Sequence, residues 1–231
     1  LNNSNVTQGQ SIAASAIPNL KYTPVANGAG DPYTSFQFKV NDGTVDSVAA
    51  YTMTIDVTAA NDLPTAAHNT VTINEDTTKT FAASEFNFAD ADGDSLSSIK
   101  ITSLPDTGIL KLNGNNVTQG QSIAASAIQN LEYTPVANGT GDPYTDFLFK
   151  VNDGTADSAD SYTMAIDVTP VNDLPTAANK TITISEDTTH TFAASEFNFA
   201  DIDGDSLSSV KILSLPATGT LKLNNSNVTQ G

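Results

Sequence analysis

Phe147-Leu148-Phe149-Lys150-Val151-Asn152, followed by Asp153-Gly154, is the stretch that decides the fold. Phe147, Phe149 and Val151 occupy alternate positions, which is the side-chain period of a β-strand with one buried face. Asp and Gly favour turns, so this strand is predicted to end at the Asp-Gly dipeptide. Similar short alternating runs recur along the chain between Asp-Gly, Thr-Gly and Asn-Gly turns. The pattern predicts an all-β fold, a sandwich of about seven strands.

One segment departs from this strand pattern. In residues 121–131 the apolar side chains fall at helical spacing, with Ser122 as the expected N-terminal cap, which predicts one or two helical turns. The counterpart segment earlier in the chain carries Pro18, so any helix there is predicted to end early or bend. We expect these turns to pack across the edge of the sandwich.

Internal repetition is the strongest signal in the chain. Asn5–Gly9 recurs as Asn116–Gly120 and again as Asn227–Gly231, a period of 111 residues. Roughly four residues in five are identical at that offset, and Leu1–Gly9 equals Leu223–Gly231 without a mismatch. Solenoid units have periods of about 20–50 residues, so a period this long corresponds to a whole domain. The sequence therefore predicts a window cut from a tandem array of domains.

The phase of the repeat comes from Asn61-Asp62-Leu63-Pro64 and its counterpart Asn172-Asp173-Leu174-Pro175. Each follows an alternating strand, and Pro suits a linker or a strand start because it has no N–H to donate. We therefore predict that residues 63–173 form one complete unit. Residues 1–62 then hold the C-terminal half of a preceding unit, and residues 174–231 hold the N-terminal half of a following one.

Composition excludes several classes of partner. The chain has a net charge of −17, with 26 acidic residues against nine lysines, no arginine and no cysteine. Nucleic acid and anionic membranes are therefore poor partners. No apolar run is long enough to span a bilayer, so membrane insertion is not expected. The lack of cysteine excludes a disulfide framework and thiolate metal sites.

Asp90-Ala91-Asp92-Gly93-Asp94 and its counterpart Asp201-Ile202-Asp203-Gly204-Asp205 are the candidate metal loops. Three carboxylates at alternate positions repel one another unless a cation or water screens them, and calcium takes six to eight oxygen ligands. A solvated acidic turn is the alternative interpretation. The EF-hand loop is excluded, because its Gly and Glu positions hold Ser95 and Ile101 when counted from Asp90. The aspartates need ligands from elsewhere in the fold.

The motifs together resemble a known family. Val-Asn-Asp-Gly at 151–154, Asn-Asp-Leu-Pro at 172–175 and Ser-Glu-Asp-Thr at 185–188 are similar to motifs of cadherin-like tandem repeats in giant bacterial adhesins. These are the RTX adhesins that support biofilm formation and are exported by type I secretion. The resemblance implies seven-stranded Greek-key sandwiches of cadherin-like or Ig-like type. It also implies an extracellular protein at the bacterial cell surface, with calcium bound between successive domains.

The resemblance further implies which residues bind calcium. The first junction is expected to use Asn61, Asp62, Asp90, Asp92 and Asp153. The second junction is expected to use Glu75, Asn172, Asp173, Asp201 and Asp203. In the incomplete outer units the matching ligands are Glu186 and Asp42, while Asp94 and Asp205 either bind the ion or only complete their turns.

Two classes of function fit these observations. The leading hypothesis is a structural extender, a stalk of repeats that calcium rigidifies and that supports cell adhesion; its partners are the neighbouring repeats. The alternative is a ligand-binding or self-associating module, in which Thr-rich strand faces bind a ligand or half-domains complete one another end to end in a filament. Enzymatic function is not expected, because His68 and His190 occupy different repeat positions and no Ser-His-Asp geometry is shared by both copies.

Overall fold

The computed structural model describes residues 5–229 of the 231-residue chain. Every buried residue of the apolar core lies between Val71 and Val168. Residues 5–62, here called the leading segment, contain no fully buried residue, and neither do residues 174–229, the trailing segment. The middle of the chain is therefore the part that has its own core.

The leading segment forms one 3₁₀ helix and one hairpin. The helix covers Ala14–Asn19, strand β1 covers Gly30–Phe38 and strand β2 covers Tyr51–Val57. The two strands pair antiparallel, with Phe36 opposite Met53. The alternating apolar residues of β2 favour a strand with one buried face, yet no second sheet covers that face in the described part of the chain.

Nine strand segments in the middle of the chain build the sandwich. They are β3 (Asn69–Asn74), β4 (Lys79–Thr80), β5 (Ser98–Ser103), β6 (Ile109–Leu112), β7 (Asn115–Asn116), β8 (Ser122–Ala124), β9 (Leu131–Thr134), β10 (Gly141–Asn152) and β11 (Tyr162–Thr169). Short 3₁₀ helices follow β4 at Ala83–Phe86 and β8 at Ala125–Asn130. The count exceeds the expected seven because β4 and β7 are two-residue segments that each pair with a single neighbour.

The sandwich has two sheets, ordered β3-β11-β10-β5-β8 and β4-β9-β6-β7. β3 runs parallel to β11, with Val71 opposite Ile166, and the other pairs in both sheets are antiparallel. Because the first and last strands run in the same direction, the chain enters the sandwich at one pole and leaves at the other. We call these the entrance pole and the exit pole.

The core lies between the two sheets and is built around the inward face of β10. Phe147 meets the ring of Phe81 edge-on at 5.6 Å, and Phe149 meets Phe86 edge-on at 4.8 Å between ring centroids. Edge-on contact is a favoured arrangement of aromatic rings because the positive edge faces the negative ring face. Val151 is fully buried on the same face. The alternation predicted for this strand, and with it the all-β sandwich, is confirmed.

The helical prediction for residues 121–131 is correct only in part. Ser122 lies in β8 instead of capping a helix, and the helix begins at Ala125 without a side-chain cap. The counterpart helix Ala14–Asn19 has the same six-residue length although it contains Pro18, so the prediction of an early end is wrong. A 3₁₀ helix of this length has few internal hydrogen bonds, and the missing N–H of Pro18 removes only one donor.

The trailing segment repeats the sequence of the first half of the sandwich without forming its long strands. It holds a 3₁₀ helix at Ala194–Phe197 and two short strand pairs: β12 (Thr176–Ala177) with β13 (Phe199–Ala200), and β14 (Lys222–Leu223) with β15 (Ser226–Asn227). The counterparts of β3 and β5 form no strand here. In the sandwich those strands pair with β11 and β10, whose counterparts lie in the leading segment.

Candidate metal centre

At the entrance pole the linker is tied to two loops of the sandwich. The Asn61 side-chain Nδ2 donates a hydrogen bond to Asp153 Oδ2 at 3.0 Å. The backbone N–H of Asp62 donates to Asp92 Oδ2 at 2.6 Å. The structure thus brings the Asn-Asp linker, the Asp90–Asp94 loop and the Asp153 loop to one place. The charged oxygens at this place come from three separate parts of the chain.

The Asp90–Asp94 loop is organised around the carboxylate of Asp90. One oxygen, Oδ1, accepts the backbone N–H of Asp92 at 2.8 Å and of Asp94 at 3.1 Å. Gly93 adopts φ +88° inside this turn, a left-handed conformation that glycine tolerates best. The other oxygen of Asp90, Oδ2, is buried and has no hydrogen-bond partner. A buried charged acceptor without a partner is costly, so this atom is suited to a cation or an ordered water.

Asp153 lies directly after β10 and is buried. Its Oδ1 accepts the backbone N–H groups of Ala156 at 2.7 Å and Thr155 at 2.6 Å, and its Oδ2 accepts Asn61 Nδ2. The bond from Ala156, followed by those from Asn61 and Thr155, holds the pKa of this carboxyl below its ordinary value of 3.8. Asp153 therefore remains an ionised oxygen donor at neutral pH.

The exit pole repeats this arrangement with the trailing segment. The backbone N–H of Asp173 donates to Asp203 Oδ2 at 2.6 Å, and Asp201 Oδ1 accepts the N–H groups of Asp203 and Asp205 at 3.1 Å. The buried Glu75, at the end of β3, accepts the backbone N–H of Val171 through Oε1 at 2.7 Å. This linker is therefore tied both to the sandwich and to the trailing segment.

Carboxylates crowd around Asp173. Desolvation raises the pKa of this group above its ordinary value of 3.8, and the negative charges of Asp203, Asp76, Glu75 and Asp201 add to the rise. The charged form of Asp173 is therefore disfavoured where it stands, because like charges repel in a partly desolvated site. A cation bound here would stabilise the site by screening the repulsion between Asp173 and these four carboxylates.

Two residues at the exit pole were not predicted from the sequence. The backbone N–H of Asn138 donates to Asp76 Oδ1 at 3.0 Å. With its amide oriented so that the nitrogen faces these acids, Asn138 also donates to Asp173 Oδ2 at 2.8 Å and to Asp76 Oδ2 at 3.2 Å. Asn138 and Asp173 line a cleft at this pole, and their counterparts Asn27 and Asp62 line a cleft at the entrance pole. The sequence signal was the turn dipeptide Asn-Gly, which marks a loop without assigning it to a site.

The remaining predicted residues are less closely engaged. Asn172 Nδ2 donates to its neighbour's carbonyl, Asp173 O, at 2.7 Å. Asp94 and Asp205 join their loops through backbone N–H groups, and both side chains are exposed. Asp42 Oδ1 accepts the N–H groups of Thr44 and Val45 in an exposed turn, and Glu186 is exposed in the trailing segment.

The donor chemistry of both poles fits calcium, although a closed ligand shell is not formed. The gathered side chains offer carboxylate and amide oxygens only, which is the ligand type that calcium prefers, and Asp90 Oδ2 is an oxygen without a partner. Within residues 5–229, no group of three or more His, Cys, Asp or Glu side chains stands close enough together to hold a metal ion. Calcium binding at the junctions therefore stays a prediction.

Comparison with known proteins places this chain in a family. The family model for the bacterial Ig domain matches residues 61–167 and again residues 172–230, more than two thirds of the chain. Domains of this family are typically non-enzymatic, and they are often found in extracellular or surface proteins. Within residues 5–229 no helix has the length and apolar character needed to cross a membrane.

Comparison with individual proteins adds little. No curated protein matches this chain. Among solved structures, an endo-fucoidan hydrolase from glycoside hydrolase family 107 is similar at 23% identity over 64% of this chain, with a TM-score of 0.27. The matched region spans only 20% of that hydrolase. A likeness this weak carries no argument about activity, and the assignment rests on the two family matches: this chain belongs to the bacterial Ig domain family.

Proposed function

We propose that this chain is an extender segment of a bacterial surface adhesin, a stalk of tandem Ig-like domains that calcium stiffens at the junctions. The observation that carries this proposal is the parallel pairing of β3 with β11, which places the entrance and exit of the sandwich at opposite poles. Domains joined in this way extend end to end instead of folding back. Six paired residues at about 3.3 Å each separate the two poles by at least about 20 Å.

Stiffness requires that each linker be fixed to the domains on both sides. The sandwich holds the entrance linker through Asp153 and Asp92, and the exit linker is held by Glu75 of the sandwich and by Asp203 of the trailing segment. These hydrogen bonds set the linker direction, whereas the surrounding carboxylates repel one another. A bound calcium ion would supply the positive charge that turns this repulsion into a bridge between domains. The residues named above for the two poles are the ones that would hold it.

The same arrangement explains why repetition serves the function. A binding site needs one surface, whereas reach grows with the number of domains, and two near-identical copies of the junction occur within 231 residues. Extracellular calcium modules bind the ion with Kd values of about 10⁻⁴–10⁻³ M, so such junctions would be loose inside a cell and fixed outside it. Adhesion, biofilm formation and export by type I secretion follow from the family resemblance and belong to the same proposal.

The test is a calcium titration followed by thermal unfolding. Calcium about 100-fold above its Kd should stabilise the sandwich by about 2.7 kcal/mol, which raises Tm by roughly 10 °C for a domain of this size. The double variant Asp90→Asn/Asp92→Asn should lose this response. The control Glu132→Gln/Asp146→Asn also removes two negative charges, but from strands β9 and β10, and it should keep the response to calcium. A wild-type chain whose Tm does not rise even at about 0.1 M calcium, 100-fold above the weak end of that Kd range, would refute the calcium part of the proposal.

A second measurement tests the extender role separately from the role of calcium. Small-angle scattering should show an elongated particle. When calcium is added, its maximum dimension should grow and the range of conformations that fits the scattering curve should narrow. If the particle is equally flexible with and without calcium, the proposal of a tandem array stands, but the proposal that the ion stiffens it is refuted.

A further inference from the structure

Strand β3 is a long, unprotected edge of the larger sheet. It pairs with β11 on one side, and within residues 5–229 no strand lies along its other side. Its six residues, Asn-Thr-Val-Thr-Ile-Asn, include no charge and no proline, and its register with β11 runs without a bulge. The remaining sheet edges are shorter, with three residues in β8 and two each in β4 and β7. A bare edge pairs readily with another chain, which short strands, lysine, proline or bulges normally prevent.

Alternate backbone groups of β3 point to the free side. Glu75, just after the strand, donates its backbone N–H to Thr169 O at 2.9 Å, and Ile73 O accepts the Thr169 hydroxyl at 3.1 Å. Backbone direction alternates along a strand, so the N–H and C=O groups of Val71 and Ile73 also face β11. The intervening residues present theirs to the free side and are exposed; they are Thr70, Thr72 and Asn74.

We propose that β3 of one copy pairs antiparallel with β3 of a second copy around a two-fold axis at Thr72. In this register Thr72 lies opposite its own equivalent, and Thr70 lies opposite Asn74 in both directions. Each opposite pair exchanges two backbone hydrogen bonds, so every free N–H and C=O of the edge gains a partner. Asn74 O already accepts the Thr77 hydroxyl at 2.6 Å, and its second lone pair serves the partner strand.

The occupant of this edge is a second copy because the strand matches itself. In the proposed register Val71 faces Ile73 of the second copy on the inward side, while threonine and asparagine side chains meet on the outward side. Two chains of net charge −17 repel each other, and an uncharged strand is where they approach with least repulsion. A contact in which both partners use the same residues is isologous and closes as a dimer.

The two-fold axis sets the relative direction of the two chains. The entrance pole of one sandwich lies beside the exit pole of the other, because the paired strands run in opposite directions. The edge runs along the side of the sandwich, whereas the linkers leave at the poles, so neighbouring repeats of a tandem array do not cover it. Stalks from two facing cells run in opposite directions, and the contact therefore joins facing cells. This consequence rests on the proposed extender function, whereas the contact between two chains does not.

Cysteine cross-linking tests the register on the full chain, which has no cysteine of its own. Opposite Cα atoms of a hydrogen-bonded pair are about 5.5 Å apart, within the range of about 4.4–6.8 Å that a disulfide spans. Thr72→Cys should therefore oxidise to a covalent dimer faster than the control Thr118→Cys, an exposed position beyond β7. Thr70→Cys and Asn74→Cys should each cross-link slowly alone and readily when mixed, because these two positions face each other.

Sedimentation equilibrium compares variants that keep or remove the backbone donor of the edge. The average mass of the wild type should rise from 24.0 kDa towards twice that value with concentration, more readily at high salt, which screens the repulsion. Thr72→Pro should abolish the rise, because it removes the N–H that crosses the axis. Proline is tolerated at an edge where the N–H faces away from the sheet, and thermal unfolding checks that the variant folds. The control Thr72→Val keeps the N–H and should still associate.

Three results would overturn the proposal. Thr72→Cys could form a disulfide no faster than Thr118→Cys. The mixture of Thr70→Cys and Asn74→Cys could cross-link no better than either variant alone. Thr72→Val could lose association as completely as Thr72→Pro, which would assign the contact to the side chain. Each of these results leaves the extender proposal intact, because calcium binding and stiffness are measured on the single chain.

Discussion

Glu75 is buried at the end of β3, and its Oε1 accepts the backbone N–H of Val171 at 2.7 Å. This bond joins the first strand of the sandwich to the linker that follows its last strand. Its counterpart in the trailing segment, Glu186, is exposed, and the residues before it form no strand. The same residue in the same motif therefore has two environments within one chain.

Replacing Glu75 by Ala should destabilise the sandwich by about 1–3 kcal/mol, because the N–H of Val171 loses its acceptor at a part-buried position. The matched control Glu186→Ala should change the free energy of unfolding by less than about 0.5 kcal/mol in dilute solution. Denaturant unfolding of both variants measures the difference. Equal effects of the two substitutions would show that Glu75 contributes nothing beyond its charge.

Asp173→Asn should stabilise the exit pole in the absence of calcium. Desolvation and the neighbouring carboxylates raise the pKa of Asp173, so its charged form opposes folding above the folded-state pKa. A neutral amide removes that repulsion at pH 7. Melting of the variant without calcium should therefore occur at a higher temperature than in the wild type.

The pH dependence of Asp173 checks the sign of this effect. As pH falls through the raised folded-state pKa towards 3.8, protonation relieves the repulsion and wild-type stability should gain relative to the Asn variant. The difference between the two proteins should therefore shrink in acid. A difference that widens on acidification would mean that the charge of Asp173 is stabilising.

Asp153→Asn should remove part of the acid sensitivity of the sandwich. The hydrogen bonds from Ala156, Asn61 and Thr155 lower the folded-state pKa of Asp153 below 3.8. Its contribution to stability is therefore complete above 3.8 and is lost as pH falls through the folded-state pKa. Denaturant midpoints measured between pH 7 and the acid range should fall less steeply for the variant. Parallel curves for both proteins would contradict this assignment.

The contrast between the sandwich and the trailing segment shows what local sequence can predict. The alternation around Phe147 predicts a strand correctly, because burial of one face is visible in the residues themselves. The trailing counterpart of β3 keeps a similar alternating pattern and forms no strand. Its partner in the sandwich is β11, far along the chain, and strand formation depends on that pairing more than on intrinsic preference.

The candidate site was predicted through motifs. Of the two missed residues, Asp76 directly follows the predicted Glu75, whereas Asn138 lies outside every motif. Asp76 and Asn138 both adopt positive φ, 56° and 54°, in turns that bring two distant loops together. Asn and Asp are enriched in this conformation, so the residue types were compatible with it. No spacing in the sequence relates one turn to the other, because their contact depends on how the sheets pack.

Phe147→Ala should lower the free energy of unfolding by about 3–5 kcal/mol, because it removes a fully buried ring that packs on Phe81. Phe36→Ala changes the counterpart residue in the leading segment. Because Phe36 is half exposed, this substitution should change the free energy of unfolding little in dilute solution. Denaturant unfolding monitored by far-UV circular dichroism provides the comparison. Equal losses would mean that the leading segment unfolds together with the sandwich as one cooperative unit.

Gly108→Ala should be far more damaging than Gly114→Ala, although both glycines have φ +77°. Each substitution incurs the cost of a left-handed backbone, which for a residue with a side chain is about 1 kcal/mol. At Gly108 the added methyl group also meets the ring and the hydroxyl of Tyr133, and it would lie 2.7 Å from the backbone oxygen of Thr134. The Tyr133 hydroxyl donates to Thr107 O at 2.7 Å, whereas the space around Gly114 is open. The difference between the two variants therefore measures the contacts with Tyr133 and Thr134 together and should be about 1–3 kcal/mol.

Tyr133→Phe, combined with Gly108→Ala, completes a double-mutant cycle. On its own it should cost about 0.5–1.5 kcal/mol, because Thr107 O loses its donor. In the Gly108→Ala background it should cost less, since the hydroxyl that the new methyl group strikes is gone. The non-additivity of the double variant, measured by denaturant unfolding, is the share of the steric cost that comes from the Tyr133 hydroxyl, since the contacts with the ring and with Thr134 O remain. Strict additivity would mean that the Tyr133 hydroxyl contributes nothing to the steric cost at Gly108, which would then come from the ring and from Thr134 O.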